Sequence, residues 1–263
     1  MPDIDAIRQY FKNIVSEPVM VAFSGGADSV LVLKLALEAA QGRIPVYALY
    51  ANAPWMPRSA LAEAKQIADD FQATFEVVDI GSAQSIGIED NPRDRCYLCK
   101  KAIFKRFLDF GHAHNVNVLL DGTQLDDLKK YRPGLKAIAE SGACSPLKEL
   151  GLGKSAVREL LAYYKLSVAK KPSGSCLATR LPYGERLSSQ LFDRIEQAEN
   201  TIRSLNLGTV RVRSHGEIAR VEVDSDCLTQ AIALRQKIVK PLKALGWKYI
   251  TLDLEGFRSG SMD

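Results

Sequence analysis

Short apolar runs alternate with amphipathic stretches over the first 120 residues. They predict strands over Val19–Phe23, Pro45–Tyr50, Thr74–Ile80 and Asn117–Leu120, and the first of these has the side chains of a strand buried on both faces. Between them, apolar residues recur at helical spacing and predict helices over about 3–15, from Ser29 onward, over Ser59–Phe71 and over Cys99–His114. This alternation predicts an α/β fold with a parallel sheet covered by helices on both faces.

The pattern changes after about residue 188. It predicts a helix over Gln190–Leu205, then strands over Thr209–Arg213 and Ala219–Val223 with a turn at 214–216. A second helix at about 227–239 and a last strand over Tyr249–Leu254 follow. Such an order is typical of a small α+β domain. We therefore divide the chain into residues 1–170 and 171–263.

The turn between the first strand and the first long apolar helix has the sequence SGGADS, residues 24–29. Gly25 and Gly26 permit unusual backbone angles, and the free N–H groups of the following helix favour a phosphate. Ser24 and Ser29 add hydroxyl donors, and Asp28 either holds the helix start or binds Mg²⁺. The turn lacks the Gly-Lys-Ser/Thr ending of a Walker A loop and the third glycine of a dinucleotide fingerprint. An ordinary tight turn is the alternative.

Polar residues also follow other predicted strands. Asn52 and Asp121 come after strands of a parallel sheet, whose carboxyl ends share one edge, so we expect them beside Ser24 in one crevice. The polar loop after Asp121, through Tyr131 and Arg132, is long enough to suggest a function. Within it, Asp126 and Asp127 either place Mg²⁺ or cap a helix.

The five cysteines give a second candidate site. Cys96 and Cys99 stand three apart just before a predicted helix, a spacing that suits a shared metal or a redox dithiol. A closed zinc site needs four ligands. Cys176 lies in a loop between Pro172 and Pro182, and three cysteines fit an Fe–S cluster that leaves one iron open. We interpret the two remaining cysteines, 144 and 227, as structural.

Charge and hydropathy narrow the possible partners. The net charge of +4 is too small to indicate nucleic acid, but residues 165–220 hold ten Lys/Arg and five Asp/Glu. That excess favours an anionic ligand in the second half, with a solvated basic face as the alternative. Arg211 and Arg213 alternate along a predicted strand and therefore point the same way. No apolar run reaches the ~20 residues of a membrane span, and we expect a cytoplasmic protein.

Several motifs together resemble a known family. The turn SGGADS resembles the pyrophosphate loop of the ATP pyrophosphatase (PP-loop) superfamily. The whole set resembles the LarE-type sulfur transferases, in the three-cysteine subtype: SGGADS, DGTQLDDL with YRPGL (121–135), SPL (145–147), CLATRLPYG (176–184), RVRSHG (211–216) and LEGFRSGSM (254–262). The match runs over essentially the whole chain.

The resemblance implies a reaction. Enzymes of this kind use ATP to adenylate a carboxylate of pyridinium-3,5-biscarboxylic acid mononucleotide and convert it to a thiocarboxylate, on the route to the nickel-pincer nucleotide cofactor. It implies an ATP-binding adenylation domain over 1–170 and a sulfur-transfer and substrate-binding domain over 171–263. A small-molecule mononucleotide is then the partner, with no nucleic acid and no membrane, and we expect a homo-oligomer.

The resemblance also implies roles for residues. ATP and Mg²⁺ would be bound by Ser24, Gly25, Gly26, Asp28, Ser29, Gly122, Thr123 and Asp127. Cys96, Cys99 and Cys176 would hold a [4Fe-4S] cluster that carries the transferred sulfide, and sulfur delivery would occur at Cys176. Arg211 and Arg213, helped by Arg180, would hold the substrate phosphate. Glu199 or Glu222 would act near the transfer site.

Three other functions stay open at this stage. A tRNA-thiolating enzyme of the same superfamily can use a similar cluster, but it should carry a stronger basic surface or an RNA-binding appendage. A non-catalytic nucleotide- or zinc-binding module would release no pyrophosphate. An ammonia-using amide ligase would leave three cysteines without a role.

Overall fold

The chain forms two compact units in the computed structural model. The first contains residues 1–86 and 94–174, and the second contains residues 87–93 and 175–263. The structure describes residues 2–129, 133–170, 174–258 and 260–262. The interpretations that involve Tyr131, Arg132 and Pro172 lie outside these residues.

A four-stranded parallel sheet forms the centre of the first unit. Its strands are β1 Val19–Ala22, β2 Val46–Asn52, β3 Thr74–Asp79 and β4 Val118–Leu120, in the order β3-β2-β1-β4. Val19 of β1 is paired with Val46 on one side and Val118 on the other. The strand order therefore reverses at β1, and in open parallel sheets such a reversal is where ligands bind, beyond the carboxyl ends.

Helices pack around this sheet. They are α1 Ile4–Ile14, α2 Ala27–Ala40, α3 Arg58–Asp70, α4 Arg95–His114, α5 Gly134–Ser141, α6 Pro146–Glu149 and α7 Lys154–Tyr163. Helix α2 is the central one, because Val30, Leu31, Val32 and Leu33 in succession are at most 1% exposed. A helix apolar on all sides is expected to be buried, and this one is.

Two expectations for the first unit need correction. The predicted helix over Cys99–His114 begins four residues earlier, at Arg95, because the carbonyl of Asp94 accepts the N–H groups of Tyr97 (2.9 Å) and Leu98 (3.1 Å). Cys96 and Cys99 therefore lie in the helix and not before it. The polar segment after Asp121 contains a 3₁₀ helix over Leu125–Lys129, and α5 to α7 follow it.

The second unit is a small α+β unit, as the sequence predicts. Its elements are α8 Ser189–Arg203, β5 Arg211–His215, β6 Ile218–Glu222, α9 Leu228–Ala233, α10 Arg235–Ala244 and β7 Tyr249–Leu252. The sheet has the order β5-β6-β7, antiparallel between the first two strands and parallel between the last two. None of the helices in the described ranges is long and apolar enough to cross a membrane.

Two boundaries differ here from the prediction. Strand β5 continues through His215, because Gly216 takes φ +59° and allows a two-residue turn before β6. The helix predicted over 227–239 is two helices that meet at Leu234, where ψ is 13° and the helical path is interrupted.

Candidate active site

Hydrogen bonds of Ser24 and Ser29 stabilise the turn between β1 and α2. The N–H of Ser24 donates to Ser29 Oγ (3.2 Å), and Ser29 Oγ donates to the carbonyl of Gly26 (3.0 Å). The two hydroxyl oxygens are 3.2 Å apart. These bonds cross the turn, so its backbone is held in one shape before any ligand arrives.

Gly25 is required by its surroundings. It has φ +68°, and a Cβ at this position would lie 3.0 Å from Ala64 Cβ and 3.1 Å from Ala64 Cα in α3. Gly26 stands at the N-cap of α2, where no side chain of the described residues caps the helix. The positive end of the α2 dipole therefore faces the turn, an arrangement that suits a phosphate.

The segment after β4 reaches the same place. A Cβ on Gly122 would lie 3.0 Å from the backbone nitrogen of Ser29 and 3.2 Å from Asp28 Cβ, so only glycine allows this approach. The structure thus brings Gly122 against the first turn of α2, at the reversal point of the sheet. Asn52, at the end of β2, is exposed.

Asp121 is buried and works as an anchor. Its Oδ2 accepts the hydroxyl (2.5 Å) and the N–H (3.2 Å) of Thr123, and its Oδ1 accepts the hydroxyl of Ser145 (2.5 Å). Its own N–H donates to the carbonyl of Cys144 (2.9 Å). These bonds fix the end of β4 and the segment before α6, and hence the position of Gly122.

The two neighbouring aspartates have different environments. Asp126 Oδ2 accepts the N–H of Lys154 (2.8 Å) at the start of α7, and Oδ1 pairs with Lys129 Nζ (2.8 Å). Hydrogen bonds from the Lys129 side chain and the Lys154 backbone lower the pKa of Asp126. The helix-cap interpretation is therefore confirmed for Asp126. Asp127 is buried and accepts the N–H of Gln124 (3.3 Å), and it stays the candidate for Mg²⁺.

The cysteine pair lies on α4. Cys96 is exposed and Cys99 half-buried, and residues three apart on a helix share a face. Arg95 Nη2 lies 4.0 Å from Cys96 Sγ, which places a cation beside that sulfur. Among the residues that the structure describes, no group of three or more His, Cys, Asp or Glu side chains is placed to hold a metal. Because Cys176 belongs to the second unit, a three-cysteine cluster stays a prediction.

Cys144 has the surroundings of a structural residue. Its thiol donates to Glu149 Oε1 (3.4 Å), and Tyr10 donates to Glu149 Oε2 (2.5 Å). Burial, more than any neighbour, raises the pKa of the Cys144 thiol to about 11. The thiol is therefore protonated at neutral pH and is a weak nucleophile.

One arginine organises the loop that carries Cys176. Arg180 is 1% exposed, and its Nη1 donates to the carbonyls of Ser175 (3.1 Å) and Cys176 (3.0 Å) and to the hydroxyls of Ser175 (2.6 Å) and Thr179 (2.9 Å). Cys176 itself is half-buried and directly precedes the 3₁₀ helix Leu177–Arg180. The Arg180 guanidinium, which the resemblance predicts to help bind substrate, thus holds residues 175–180 in place. We call this segment the cysteine loop.

Glu199 of α8 completes this anchor. It accepts Nε (2.8 Å) and Nη2 (3.1 Å) of Arg180, and it also accepts the N–H of Val212 in β5 (3.1 Å). Burial by itself would raise the pKa of Glu199, but the charges of Arg180 and Arg203 outweigh it and the pKa is lowered. One buried carboxylate therefore joins the cysteine loop, α8 and β5.

The two arginines of β5 are not equivalent. Arg213 makes a two-point ion pair with Glu222 (3.0 and 2.7 Å) and donates to the carbonyl of Thr179 (3.0 Å). Arg211 donates to the carbonyl of Val210 (2.8 Å), and its guanidinium lies 5.2 Å from the centre of the Phe257 ring. Within the described ranges, no carboxylate is within ion-pair distance of Arg211.

Arg211 is therefore a buried cation that no carboxylate of the described residues contacts. It is 8% exposed, and burial, followed by the repulsion of Arg180, lowers its pKa to about 10, although Glu199 acts in the opposite direction. An anion bound at this guanidinium would relieve both effects. Such a perturbed, buried charge is a candidate ligand-binding group.

Comparison with known proteins adds to this geometry. The NAD synthase family model matches residues 3–188, which is more than half of the chain. The chain belongs to the NAD synthase family of PP-loop proteins. The match covers the Ser24–Ser29 turn and the segment around Gly122, so the PP-loop resemblance is confirmed.

Three curated proteins are similar over nearly their whole length. Pyridinium-3,5-bisthiocarboxylic acid mononucleotide synthase from Lactiplantibacillus plantarum is 36% identical over 93% of this chain and 88% of its own. Uncharacterized proteins from Synechocystis sp. (33% identical; 99% and 96% covered) and Methanocaldococcus jannaschii (30% identical; 96% and 94% covered) are also similar. The resemblance to the LarE-type enzymes is thus confirmed, and the chain is related to a mononucleotide synthase.

Little in the residue pattern indicates how the two glutamates are used. The resemblance predicts that Glu199 or Glu222 acts near the transfer site, whereas in the structure they are the partners of Arg180 and Arg213. One signal was present for Glu199, because Ile195, Ala198 and Ile202 place it on the apolar face of α8. A carboxylate on such a face needs a buried cation, and the chain supplies one in Arg180.

Proposed function

We propose that this chain is an ATP-dependent sulfur transferase that adenylates a carboxylate of pyridinium-3,5-biscarboxylic acid mononucleotide and converts it to a thiocarboxylate. The observation that carries the proposal is the extent of the similarity to the Lactiplantibacillus synthase. The NAD synthase family model ends at residue 188, whereas the similarity to the synthase covers 93% of the chain and so extends well into the second unit. The second unit carries Cys176 and the arginines of β5.

Adenylation is the part that the first unit would perform. A carboxylate oxygen of the substrate attacks the α-phosphorus of ATP, the bond to the β-phosphate oxygen breaks, and pyrophosphate leaves with Mg²⁺. The turn tied by Ser24 and Ser29 and the uncapped start of α2 support this role, because fixed N–H donors stabilise the departing charge. Asp127 is a buried carboxylate of this segment that accepts the N–H of Gln124, and it is our candidate for the Mg²⁺ ligand.

Substrate binding falls to the second unit. Arg211 would bind the phosphate of the mononucleotide, since it is buried and has no carboxylate in contact within the described residues. Arg213 is held by Glu222 and would add a fixed positive charge beside it. Arg180 would act indirectly, because it fixes the backbone on both sides of Cys176.

Sulfur transfer would take place at Cys176. A sulfur nucleophile displaces AMP from the acyl carbon and leaves a thiocarboxylate; AMP is a far better leaving group than the oxide of a free carboxylate. Thiolates are the ligands that Fe–S clusters take, and Cys96 and Cys99 share one helix face, so the donors fit a [4Fe-4S] cluster completed by Cys176. When bound, that cluster would supply the sulfide.

The experiment measures the two half-reactions separately. Anaerobically reconstituted protein receives ATP, Mg²⁺ and the mononucleotide, and pyrophosphate and thiocarboxylate are quantified. We expect Cys176→Ala to lose thiocarboxylate formation more than about 100-fold and to keep pyrophosphate release within a few-fold, because the adenylating groups lie in the first unit. Cys227→Ala, which replaces a cysteine outside the proposed site, should keep both.

Two outcomes would contradict this proposal. Equal loss of pyrophosphate and thiocarboxylate in Cys176→Ala would show that the cysteine is not confined to the sulfur step. Thiolation of tRNA, with no turnover of the mononucleotide, would assign the chain to the tRNA-modifying enzymes.

A further inference from the structure

Within the second unit, the chain that follows β7 returns to an arginine of β5. We infer that Phe257 in this segment is a positioning residue that holds the Arg211 guanidinium in place for a phosphate group. The inference deepens the proposed function and rests on it, because Arg211 is the group proposed to bind the phosphate of the mononucleotide. Phe257 itself is assigned no contact with the substrate.

Backbone hydrogen bonds fix the place of Phe257. The N–H of Asp253 donates to the carbonyl of Val221 (2.9 Å), and the N–H of Phe257 donates to the carbonyl of Val223 (2.7 Å). Between these two bonds, Gly256 has φ +71°, and a Cβ there would lie 2.9 Å from the carbonyl oxygen of Val223. Only glycine allows this close turn, so the position of the Phe257 backbone is set by the strand beside it.

The Phe257 ring holds the Arg211 guanidinium without occupying its hydrogen-bond donors. The guanidinium carbon lies over the ring, 5.2 Å from its centre, which is within the range of a cation–π attraction. A guanidinium has five N–H donors. Among the described residues, the carbonyl of Val210 is the one acceptor that Arg211 contacts. An aromatic partner therefore fixes this buried cation while its other donors stay available to an anion, as far as the described residues extend.

The neighbouring arginine of the strand has the opposite arrangement. Arg213 donates from Nε and Nη2 to Glu222 and from Nη1 to the carbonyl of Thr179. A guanidinium whose nitrogens are all engaged in this way has no free pair of N–H groups for a two-point bond to phosphate. The two arginines point the same way from β5, so their difference lies in the partner, a carboxylate for Arg213 and a ring for Arg211.

Glu222 is engaged by partners other than Arg211. It stands opposite Arg211 in the register of β5 and β6, where opposite charges normally pair across the strands. Its oxygens instead accept Arg213 (3.0 and 2.7 Å), Arg220 (3.2 Å) and the hydroxyl of Ser261 (2.7 Å). The chain after β7 thus also supplies Ser261, which helps to hold the carboxylate that would otherwise neutralise Arg211.

The opposing interpretation is that Phe257 only fills space beside Arg211. The two interpretations differ in the property of the side chain that matters. Methionine is flexible and apolar and fills much of the same space without a ring face, whereas tyrosine keeps the ring. Positioning by the ring requires that Phe257→Tyr keep anion binding and that Phe257→Met lose it. Space filling alone would make the two variants alike.

The first test uses the full-length protein with inorganic phosphate as the anion. Phenylglyoxal modifies guanidinium groups, and peptide mapping measures its rate at Arg211, with the exposed Arg235 as the internal reference. We expect saturating phosphate to slow this modification at least about five-fold in the wild type and in Phe257→Tyr, and less than about two-fold in Phe257→Met. Circular dichroism confirms that each variant is folded at the temperature used.

Trp247→Phe is the matched control for damage to the unit. Trp247 also lies against a guanidinium, that of Arg194 (3.7 Å from the ring centre), and it donates a buried hydrogen bond to Ser214 Oγ (3.2 Å). The variant should lose stability but keep the protection of Arg211 by phosphate.

The second test uses the proposed substrate. Titration calorimetry compares the mononucleotide with its nucleoside, which lacks the phosphate. We expect the wild type to bind the mononucleotide at least about ten-fold more tightly than the nucleoside. Phe257→Met should lose most of that preference and keep its affinity for the nucleoside within about two-fold, because the ring acts on the phosphate-binding group alone.

The outcomes separate the inference from the function beneath it. Equal protection by phosphate in Phe257→Met and the wild type, or no protection in the wild type, would overturn the role of Phe257. Protection that is lost only with the ring, together with equal binding of mononucleotide and nucleoside by the wild type, would support that role and overturn the proposed substrate. Equal loss in Trp247→Phe and Phe257→Met would reduce Phe257 to a stabilising residue. If Phe257→Met does not fold, Phe257→Leu is judged by the same protection.

Discussion

At the scale of single residues, two short irregular segments are built in the same way. In the turn that follows β1, the Ser29 hydroxyl bonds across the backbone at Ser24 and Gly26. In the cysteine loop, Arg180 does the same for the carbonyls of Ser175 and Cys176. Each segment is thereby shaped in advance, which lowers the entropy that a ligand must remove on binding.

Gly25 allows a test of the turn with an internal control. Gly25 and Gly42 have almost the same φ, +68° and +69°, but only a Cβ at Gly25 would meet other atoms, those of Ala64 at 3.0 Å. We expect both Gly→Ala variants to lose about 1–2 kcal/mol of stability from the left-handed backbone. Only Gly25→Ala should also lower pyrophosphate release, by at least ten-fold, because the turn must move away from α3. Equal activity in the two variants would contradict a phosphate-binding turn.

The residues that sequence alone could identify were those that act within their own segment. The Ser24–Ser29 turn could be predicted from the sequence because its glycines, its hydroxyl groups and the start of the following helix are contiguous. The second partner of Asp126 was not, since Lys154 is 28 residues away. The resemblance assigns Arg180 to substrate binding, and its role in the loop emerges only when folding brings Glu199 against it. Long-range pairing is decided by packing, which a residue pattern does not contain.

At the scale of elements, α8 links the parts of the second unit. Glu199 on its buried face bonds to the cysteine loop through Arg180 and to β5 through the N–H of Val212. The same carboxylate accepts Arg203 one turn later on α8 (2.5 Å). A buried ion pair with this many bonds fixes geometry more than it adds stability, because desolvation offsets much of the attraction.

Breaking this link should therefore be costly. We expect Glu199→Ala to lose about 3–5 kcal/mol, because Arg180 becomes an unpaired buried charge, and to speed the alkylation of Cys176 as its loop is released. Glu217→Ala is the control, since Glu217 pairs with Lys248 on the surface with side chains 60% and 67% exposed, and it should lose less than about 1 kcal/mol. Urea unfolding and site-resolved mass spectrometry measure the two effects. Unchanged alkylation would exclude a link from Glu199 to the loop.

Elements with a long apolar run or a sustained apolar repeat were predictable from the sequence, whereas the short helices were not. Helix α2 and strands β1 and β2 were recognisable because each carries a sustained apolar run. Helices α5, α6 and α7 have 8, 4 and 10 residues and follow a polar segment. Each is too short for a helical repeat of apolar residues to be recognised in the sequence. The start of α4 was misplaced by four residues because Arg95 and Cys96 do not belong to its apolar face, and the hydrogen bonds to Asp94 decide it.

At the scale of the whole chain, three of the ten basic residues within 165–220 are buried inside the second unit, as far as the structure describes this range. Arg180, Arg211 and Arg213 are at most 8% exposed, so they do not form a solvated basic face. Glu199 and Glu222 balance two of them. The remaining buried charge at Arg211 has no carboxylate in contact within the described ranges, which favours a small anionic ligand over a long nucleic-acid backbone.

The three-cysteine set makes a prediction that involves both units, and it concerns metal content. Two thiolates on α4 satisfy half of the usual four ligands of a cluster, so a third from the second unit should decide whether iron is retained. After anaerobic reconstitution we expect about four iron atoms per chain in the wild type. Single Cys→Ala changes at 96, 99 or 176 should each remove most of the iron, whereas Cys227→Ala should not. Iron retained in Cys176→Ala, or zinc bound in its place, would confine the metal to the α4 pair and separate Cys176 from it. The cluster would then have no connection to the substrate site, and the sulfide would have to come from a separate donor.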